Sequence, residues 1–468
     1  MNFAAIFRML ALCGAGYGVL MVLCAVLGLL LGEPLQFRVF LTTAVLAATV
    51  SAATLTLIGR PKRRAQPSDA LAFMVFFWIF SGVVCAPPFL MGLPNDSMIS
   101  AVHEAVSALT TTGHSGLDQA GNPMPVSVLF WRAILHLAGA VATITFAATV
   151  LAALSLDGPG IHRTPLFSMS DASFFDTMPR VLRFTAASLA LVILLVVAIE
   201  LVSGIDVQTA FLDAVSAATT GMADPAGHFA DVPHAGRAVG LTVGLLAGTL
   251  GIYFLIQLSS RHWRRAFSDA EVLTFCFAMA VFSGLAALAG LHGFNSVGWA
   301  LSSLSTSGVA LVHPETTNQL PLALQLAPPL IGGAALSAAG GLKLGRLYVL
   351  SRRVGHEFAR MGFRESLSFF QFRGRVQSDR TLMGIWVYLV AYIMASVAGL
   401  LLFSFVGLSF DEAIASTVGS LTNAGHLIAD DAHIYEEKYQ VLLIFGMILG
   451  RLEVLALIPL LTLSFWRR

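Results

Sequence analysis

Apolar positions along the 468-residue chain gather into ten long stretches, at about 10–31, 37–58, 70–92, 127–155, 183–204, 237–258, 270–291, 322–350, 381–407 and 440–464. A hydrocarbon layer of about 30 Å takes roughly 20 apolar residues per helix, so each stretch is long enough to cross a bilayer. Between the third and fourth, fifth and sixth, seventh and eighth, and ninth and tenth stretches, one short phrase recurs. Residues 104–113 read EAVSALTTTG, 213–221 DAVSAATTG, 299–308 WALSSLSTSG and 416–425 STVGSLTNAG. Each phrase is a small-residue helical segment that ends in hydroxyl or amide side chains and one Gly. The pattern predicts an all-α membrane protein: ten transmembrane helices with four re-entrant pore-helix and filter loops in pseudo-fourfold arrangement. Gly113, Gly221, Gly308 and Gly425 are separated by 108, 87 and 117 positions, the mark of a diverged repeat with variable connections. The predicted units are an N-terminal helix pair (1–66), pore repeats at 67–160, 161–260 and 261–352, and a cytoplasmic linker with the fourth repeat (353–468).

Composition narrows the class. The chain is 57% hydrophobic and 11% charged, whereas soluble domains carry about 25% charged residues; no sizeable water-facing domain fits. Cys13, Cys24, Cys85 and Cys276 lie in apolar stretches without a CxxC pair, which reads as small core residues and neither a disulfide framework nor a metal site. The first apolar stretch is too long for a signal-peptide core and is read as a retained span.

Charge placement predicts orientation. If the four phrases face outward, the opposite connections hold 20 of the 27 Lys and Arg residues, including Arg8, the cluster at 60–64 and seven Arg between 352 and 380. Fifteen of 26 acidic residues fall on the phrase side, among them Asp96, Glu104, Asp118, Asp224, Asp430 and Asp431. The positive-inside rule then sets both termini in the cytoplasm. The outward acids would concentrate cations above a pore mouth, although such a bias is also what positive-inside topology leaves behind.

The phrases carry the candidate chemistry. Irregular backbone at membrane depth is tolerated where protein buries it or where it lines a watery cavity. Thr111, Thr112 and Gly113; Thr219, Thr220 and Gly221; Thr306, Ser307 and Gly308; and Asn423, Ala424 and Gly425 would supply such backbone. Gly lets the chain turn carbonyls inward, and a ring of oxygen dipoles can replace the hydration shell of a monovalent cation such as K+. The negative ends of the preceding short helices favour cations as well. The competing reading is close packing of small residues between helices; four phrases at four equivalent places favour the filter.

With these residues in view, the chain resembles the Trk/Ktr/HKT superfamily of potassium transporters, and its two additional N-terminal spans are similar to the TrkH-type subunit. Residues 331–343 (IGGAALSAAGGLK) resemble the Gly-rich break of that family's third inner helix, 450–468 (GRLEVLALIPLLTLSFWRR) its closing helix, and 261–275 its linker between the second and third repeats. Residues 136–140 (HLAGA) stand where relatives are usually richer in Gly. The resemblance implies potassium uptake, gating by an intramembrane loop containing Gly332, Gly333, Gly340, Gly341 and Lys343, and a cationic barrier at Arg451 below the filter. It also implies a homodimer over a cytosolic, nucleotide-binding, TrkA-like regulatory subunit that would dock the basic linker 351–380; anionic lipid is the other candidate for that linker. A salt bridge is the plainer role for Arg451, and close packing the plainer role for the Gly patch.

Nothing in the sequence binds nucleotide or nucleic acid, and no cofactor is expected beyond K+ as the transported ion; GxGxxG and Walker A phrases are absent. No HExxH or paired-acid helix suggests an enzyme. His114 and His426 follow filter Gly residues and read as hydrated vestibule groups or, alternatively, as sensors of external pH. The expected driving force is the membrane potential, at about 2.3 kcal/mol per charge per 100 mV; the alternative is a Na+- or H+-coupled cation symporter.

Overall fold

The computed structural model describes residues 1–59, 67–92, 97–116, 124–153, 174–222, 235–309, 311, 320–362, 371–372, 375–376, 379–428 and 436–452. Among them the chain is almost entirely helical. An N-terminal hairpin of α1 (Phe3–Leu30) and α2 (Pro34–Leu57) is followed by α3 (Pro67–Cys85), α4 (Pro87–Gly92), α5 (Met98–Leu109), α6 (Val126–Ala153), α7 (Phe174–Val202), α8 (Val207–Thr219) and α9 (Ala235–Ser259). Then come α10 (Trp263–Phe267), α11 (Ala270–Leu288), α12 (Phe294–Leu304), α13 (Leu322–Ile331), α14 (Leu344–Gly362), α15 (Asp379–Val406), α16 (Phe410–Thr422) and α17 (Glu437–Arg451). One antiparallel pair of two-residue strands, β1 (Gln371–Phe372) and β2 (Arg375–Val376), lies in the linker.

Among the described residues, eight helical segments are long and apolar enough to cross a membrane. Seven of the predicted stretches map onto single helices, that at 237–258 onto α9; that at 70–92 continues from α3 into α4. The stretch at 322–350 does not form one helix. It divides into α13 and α14 around residues 332–343, because Pro328 and Pro329 lack backbone donors and Gly332 leaves the helix at φ 72°. The stretch at 440–464 is helical to Arg451, and the expectations for Glu453 and the rest of the closing segment lie outside the described residues, as do those for Asp96, Asp118, Asp224, Asp430, Asp431 and the basic cluster at 60–64.

Outward surfaces are apolar. The face of α15 exposes Met383, Val390, Met394 and Phe405, and α1 exposes Leu12, Val19, Leu23 and Leu30. So much contiguous exposed apolar area suits contact with lipid and not water. Cys24 and Cys85 are buried as expected, but Cys276 is exposed: it sits on the outer, apolar side of α11, where hydrophobicity does not require a core position.

Four helices are only half the length of a span: α5, α8, α12 and α16. Each packs against the long helix before it in its own stretch of chain, α3, α7, α11 and α15 respectively. Three start with side-chain caps that stop the chain from continuing the preceding helix: Ser97 accepts from Ser100 N, Asp206 from Thr209 N, and Ser409 forms a capping box with Glu412. They sit deep because the following helices let backbone approach backbone. A Cβ on Gly139 of α6, Gly248 of α9 or Gly450 of α17 would overlap the carbonyl oxygen of Leu109, Ala218 or Leu421, each within the last two residues of its short helix. Only Gly permits that approach.

Candidate functional site

The ends of the four short helices repeat one backbone motif. Thr111, Thr220, Thr306 and Asn423 take left-handed conformations, with φ of 50°, 52°, 61° and 54°. The amide of each bonds back to a carbonyl three residues earlier (Ala108, Ala217, Ser303, Ser420) at 3.0–3.3 Å. The next amide, of Thr112, Gly221, Ser307 or Ala424, closes onto a carbonyl five residues earlier (Ser107, Ser216, Ser302, Gly419) at 2.8–3.2 Å. This is the usual geometry of a helix C-terminus, where Gly normally takes the left-handed place. Here three β-branched Thr and one Asn do. Each costs about 1–2 kcal/mol over a right-handed residue, and strain of this kind clusters where geometry serves function.

The hydrogen bonds also fix the register between loops. Gly221 is equivalent to Thr112, Ser307 and Ala424, and Met222 stands where the others have Gly113, Gly308 and Gly425. Beyond the left-handed residue the fourfold likeness becomes twofold. Gly113 and Gly308 have φ of 79° and 68°, whereas Met222 and Gly425, at the equivalent places, are not left-handed. In the first and third loops Ser107 and Ser302 donate to the carbonyls of His114 and Val309 at 2.6 and 2.7 Å, and paired hydroxyls (Thr110 with Thr112, Ser305 with Ser307) lie 2.8 Å apart. In the second and fourth, Gly221 and Ala424 offer no hydroxyl to pair, and Thr219 and Thr422 bond back to Val215 and Val418 at 2.7 Å, as Thr110 also does to Val106.

The loops meet in the order second, first, fourth, third. Gly113 abuts the Met222 backbone, and Gly221 the Thr111 carbonyl. Gly425 N donates to Thr112 O at 3.0 Å, and Asn423 Nδ2 to Thr112 Oγ1 at 3.1 Å. Gly308 lies against His426. The left-handed side chains face the surrounding scaffold: the Thr111 hydroxyl accepts from Arg451, the Thr306 hydroxyl from Gly340 N at 3.0 Å, and Asn423 Nδ2 also donates to Met447 O at 3.0 Å. Every predicted residue of the four loops is buried or at the convergence of these segments; the Thr111 and Thr306 hydroxyls are engaged as anchors, whereas the buried Thr220 hydroxyl has no hydrogen-bond partner among the described residues.

Two buried ion pairs brace the loops from behind. Glu104 of α5 pairs with Arg132 of α6, whose second nitrogen donates to the carbonyls of Gly113 at 2.8 Å and His114 at 3.2 Å. Glu104 Oε1 also accepts from Ser115 Oγ at 3.0 Å and Gly116 N at 2.8 Å. Asp213 of α8, three residues before Ser216 as Glu104 is before Ser107, pairs with Arg237 at 2.5 and 3.1 Å. At the matching place of the fourth loop a neutral bond stands instead, Ser416 to the Tyr439 hydroxyl at 2.9 Å. The signal was present in the sequence, since EAVS and DAVS carry an acid that WALS and STVG lack. His114 is buried, its ring edge-to-face with His103 at 5.2 Å, so the hydrated-vestibule reading fails for it: the Arg132 brace turns that loop inward.

Beneath the loops, residues 332–343 form a closed non-helical turn. Its base is tied by Leu342 N to Leu330 O, Lys343 N to Ile331 O and Leu344 N to Gly333 O, each 2.9 Å. Its far side docks on α9: Ala334 N donates to Thr249 O, and Ile252 N to Leu336 O, both at 2.9 Å. The latter bond is possible because α9 is broken at Gly251 (φ 74°, ψ −177°), a feature that the apolar run conceals. Lys343 donates to the carbonyls of Ser337 and Ala339. Arg451 spans both layers, donating to Thr110 O at 2.6 Å, Ala338 O at 2.5 Å and the Thr111 hydroxyl. Its described partners are backbone and hydroxyl oxygens and not carboxylates, so the salt-bridge alternative finds no support among the described residues.

This architecture has a solved counterpart. The crystal structure of the potassium transporter TrkH from Vibrio parahaemolyticus superposes with a TM-score of 0.85, at 24% identity, over 100% of both chains. In sequence the chain is 27% identical to the Trk system potassium uptake protein TrkH of Salmonella typhimurium over 100% of both, and 28% identical to that of Escherichia coli over 92% of both. The chain is similar to these Trk proteins along its length. No family model matches it.

Proposed function

We propose that this protein is a channel-like potassium uptake subunit of a bacterial inner membrane. The observation that carries the reading is the four strained helix ends, alike in backbone and brought together by three inter-loop contacts. In this reading ten helices span the membrane, the four short ones are re-entrant, and the domain boundaries are those of the pore repeats given above. Backbone carbonyls of 111–113, 219–221, 306–308 and 423–425 coordinate K+. A carbonyl has two lone pairs, so Thr112 O can accept from Gly425 and still face an ion. Side chains hold the ring and do not line it.

The turn 332–343 is the gate, pinned shut by Arg451 and Lys343. The cationic groups that hold its carbonyls also raise the barrier to a passing cation. Membrane potential drives entry, both termini face the cytoplasm, and a homodimer of the chain works under a TrkA-like nucleotide-binding subunit docked on the basic linker. The names of the relatives support potassium uptake, and the charge bias supports the orientation.

The test is complementation of a potassium-uptake-deficient bacterium at limiting K+, with and without added Na+. Rescue by the native chain that is lost on Gly113→Ser and on Gly425→Ser supports the reading. Failure of the expressed native chain to rescue overturns it. Flux that collapses without a Na+ or proton gradient would replace a channel with a symporter.

A further inference from the structure

One side chain outside the four loops is set directly against them. His136 of α6 is fully buried and lies on the backbone of Gly221 and Met222 in the second loop. A Cβ on Gly221 would fall 2.5 Å from His136 Nδ1 and 2.8 Å from its Cε1. By the register above, Gly221 stands where the other loops carry Thr112, Ser307 and Ala424. The second loop is thus the one that lacks a side chain there, and an imidazole from the neighbouring repeat is pressed against that position. The same Cβ position would fall 2.7 Å from the carbonyl oxygen of Thr111.

We propose that His136 is a positioning residue for cation selectivity: its ring supplies the bulk missing at Gly221 and holds the second loop against the first. The proposal rests on the filter reading of these loops. The role is one of volume. The 109-residue spacing that relates Thr110 to Thr219 and Gly139 to Gly248 relates His136 to Leu245, which is apolar and fully buried. A filter discriminates between K+ and Na+ through the positions and number of its oxygen dipoles, so a loop free to shift toward an emptied ring site loses discrimination before it loses the fold.

The experiment is a volume series at position 136 in the full-length protein, purified, reconstituted in liposomes and assayed for K+ and Na+ flux. We expect His136→Ala to lower the K+/Na+ flux ratio about tenfold, equivalent to 1.4 kcal/mol, and His136→Leu to keep it within about twofold of the native value, a difference near 0.4 kcal/mol. A native ratio in His136→Ala overturns the proposal, and so does a loss in His136→Leu as large as that in His136→Ala, which would assign the effect to the ring nitrogens. Should His136→Ala fail to yield monodisperse protein in detergent, His136→Leu against His136→Asn decides: the proposal requires Leu to be the more selective. A protein that passes no K+ in the same liposomes even when Arg451→Ala frees the turn 332–343 overturns the filter reading itself, separately from these comparisons.

Discussion

Arg451 Nε donates to the carbonyl oxygen of Thr110 at 2.6 Å, across 341 positions of chain. Thr110 terminates α5, so the guanidinium caps the negative end of a short helix, while its other nitrogens reach the Thr111 hydroxyl and Ala338 of the turn below. Replacing Arg451 by Ala removes the tether and the positive charge together. Rubidium uptake should rise, and the protein should melt earlier in detergent, because each buried acceptor left unpaired costs about 1–3 kcal/mol. Arg451→Lys should fall between the two, since a point ammonium cannot reproduce the fork. Unchanged flux in well-expressed Arg451→Ala would remove the gate role.

The brace behind the first loop makes a second prediction. Glu104→Gln leaves Arg132 buried without its counter-charge, and breaking such a pair from one side costs about 3–5 kcal/mol. Arg132→Ala additionally frees the Gly113 carbonyl. Both variants should melt earlier than the native protein, and Arg132→Ala should lose more K+ uptake per folded molecule. Equal uptake in the two would show that the bonds from Arg132 to Gly113 and His114 do not set the loop.

Strain relief should have opposite signs at two equivalent residues. Gly accepts the left-handed conformation freely, so Thr220→Gly should gain up to about 1 kcal/mol after its added chain entropy is counted. Thr111→Gly relieves the same strain but deletes the acceptor of Arg451, and should be destabilising. Detergent melting curves for the pair check this; a fall for both would mean that the Thr220 methyl and its packing against Gly248 outweigh the strain.

Asp206 caps α8 from the exposed end, and the Thr209 backbone amide, followed by the Thr209 side chain, holds its carboxyl below the ordinary carboxylate range. A depressed folded value means that the cap contributes fully above the unfolded pKa, near 3.9, and fades as pH falls through the folded value. Asp206→Ala should therefore melt earlier than the native protein at pH 7, and the gap should narrow in acid below about pH 4. A gap that is constant with pH would assign the effect to packing.

Much of this protein was legible along the chain. Burial of about 20-residue apolar runs in lipid leaves few options besides helices, so most of the spans followed from hydropathy, and the four phrases marked the short helices and their ends. Pro328, Pro329 and Gly332 announced the break before α14 in the same local terms. Glu104 of EAVS read along the chain as an outward vestibule acid; only the structure paired it with Arg132, and Asp213 of DAVS with Arg237.

What the sequence alone determined is therefore what adjacent residues determine: which segments are helical, where they stop, and which ends bear hydroxyls and Gly. Only the tertiary structure decided the rest. The one-residue shift that puts Met222 in place of a Gly, the twofold alternation of the loops, the break at Gly251 and the reach of Arg451 to Thr110 all arise from backbone hydrogen bonds and contacts between segments far apart in the chain. Those bonds depend on which segments close packing brings within about 3 Å, and no local pattern of residue types encodes that choice.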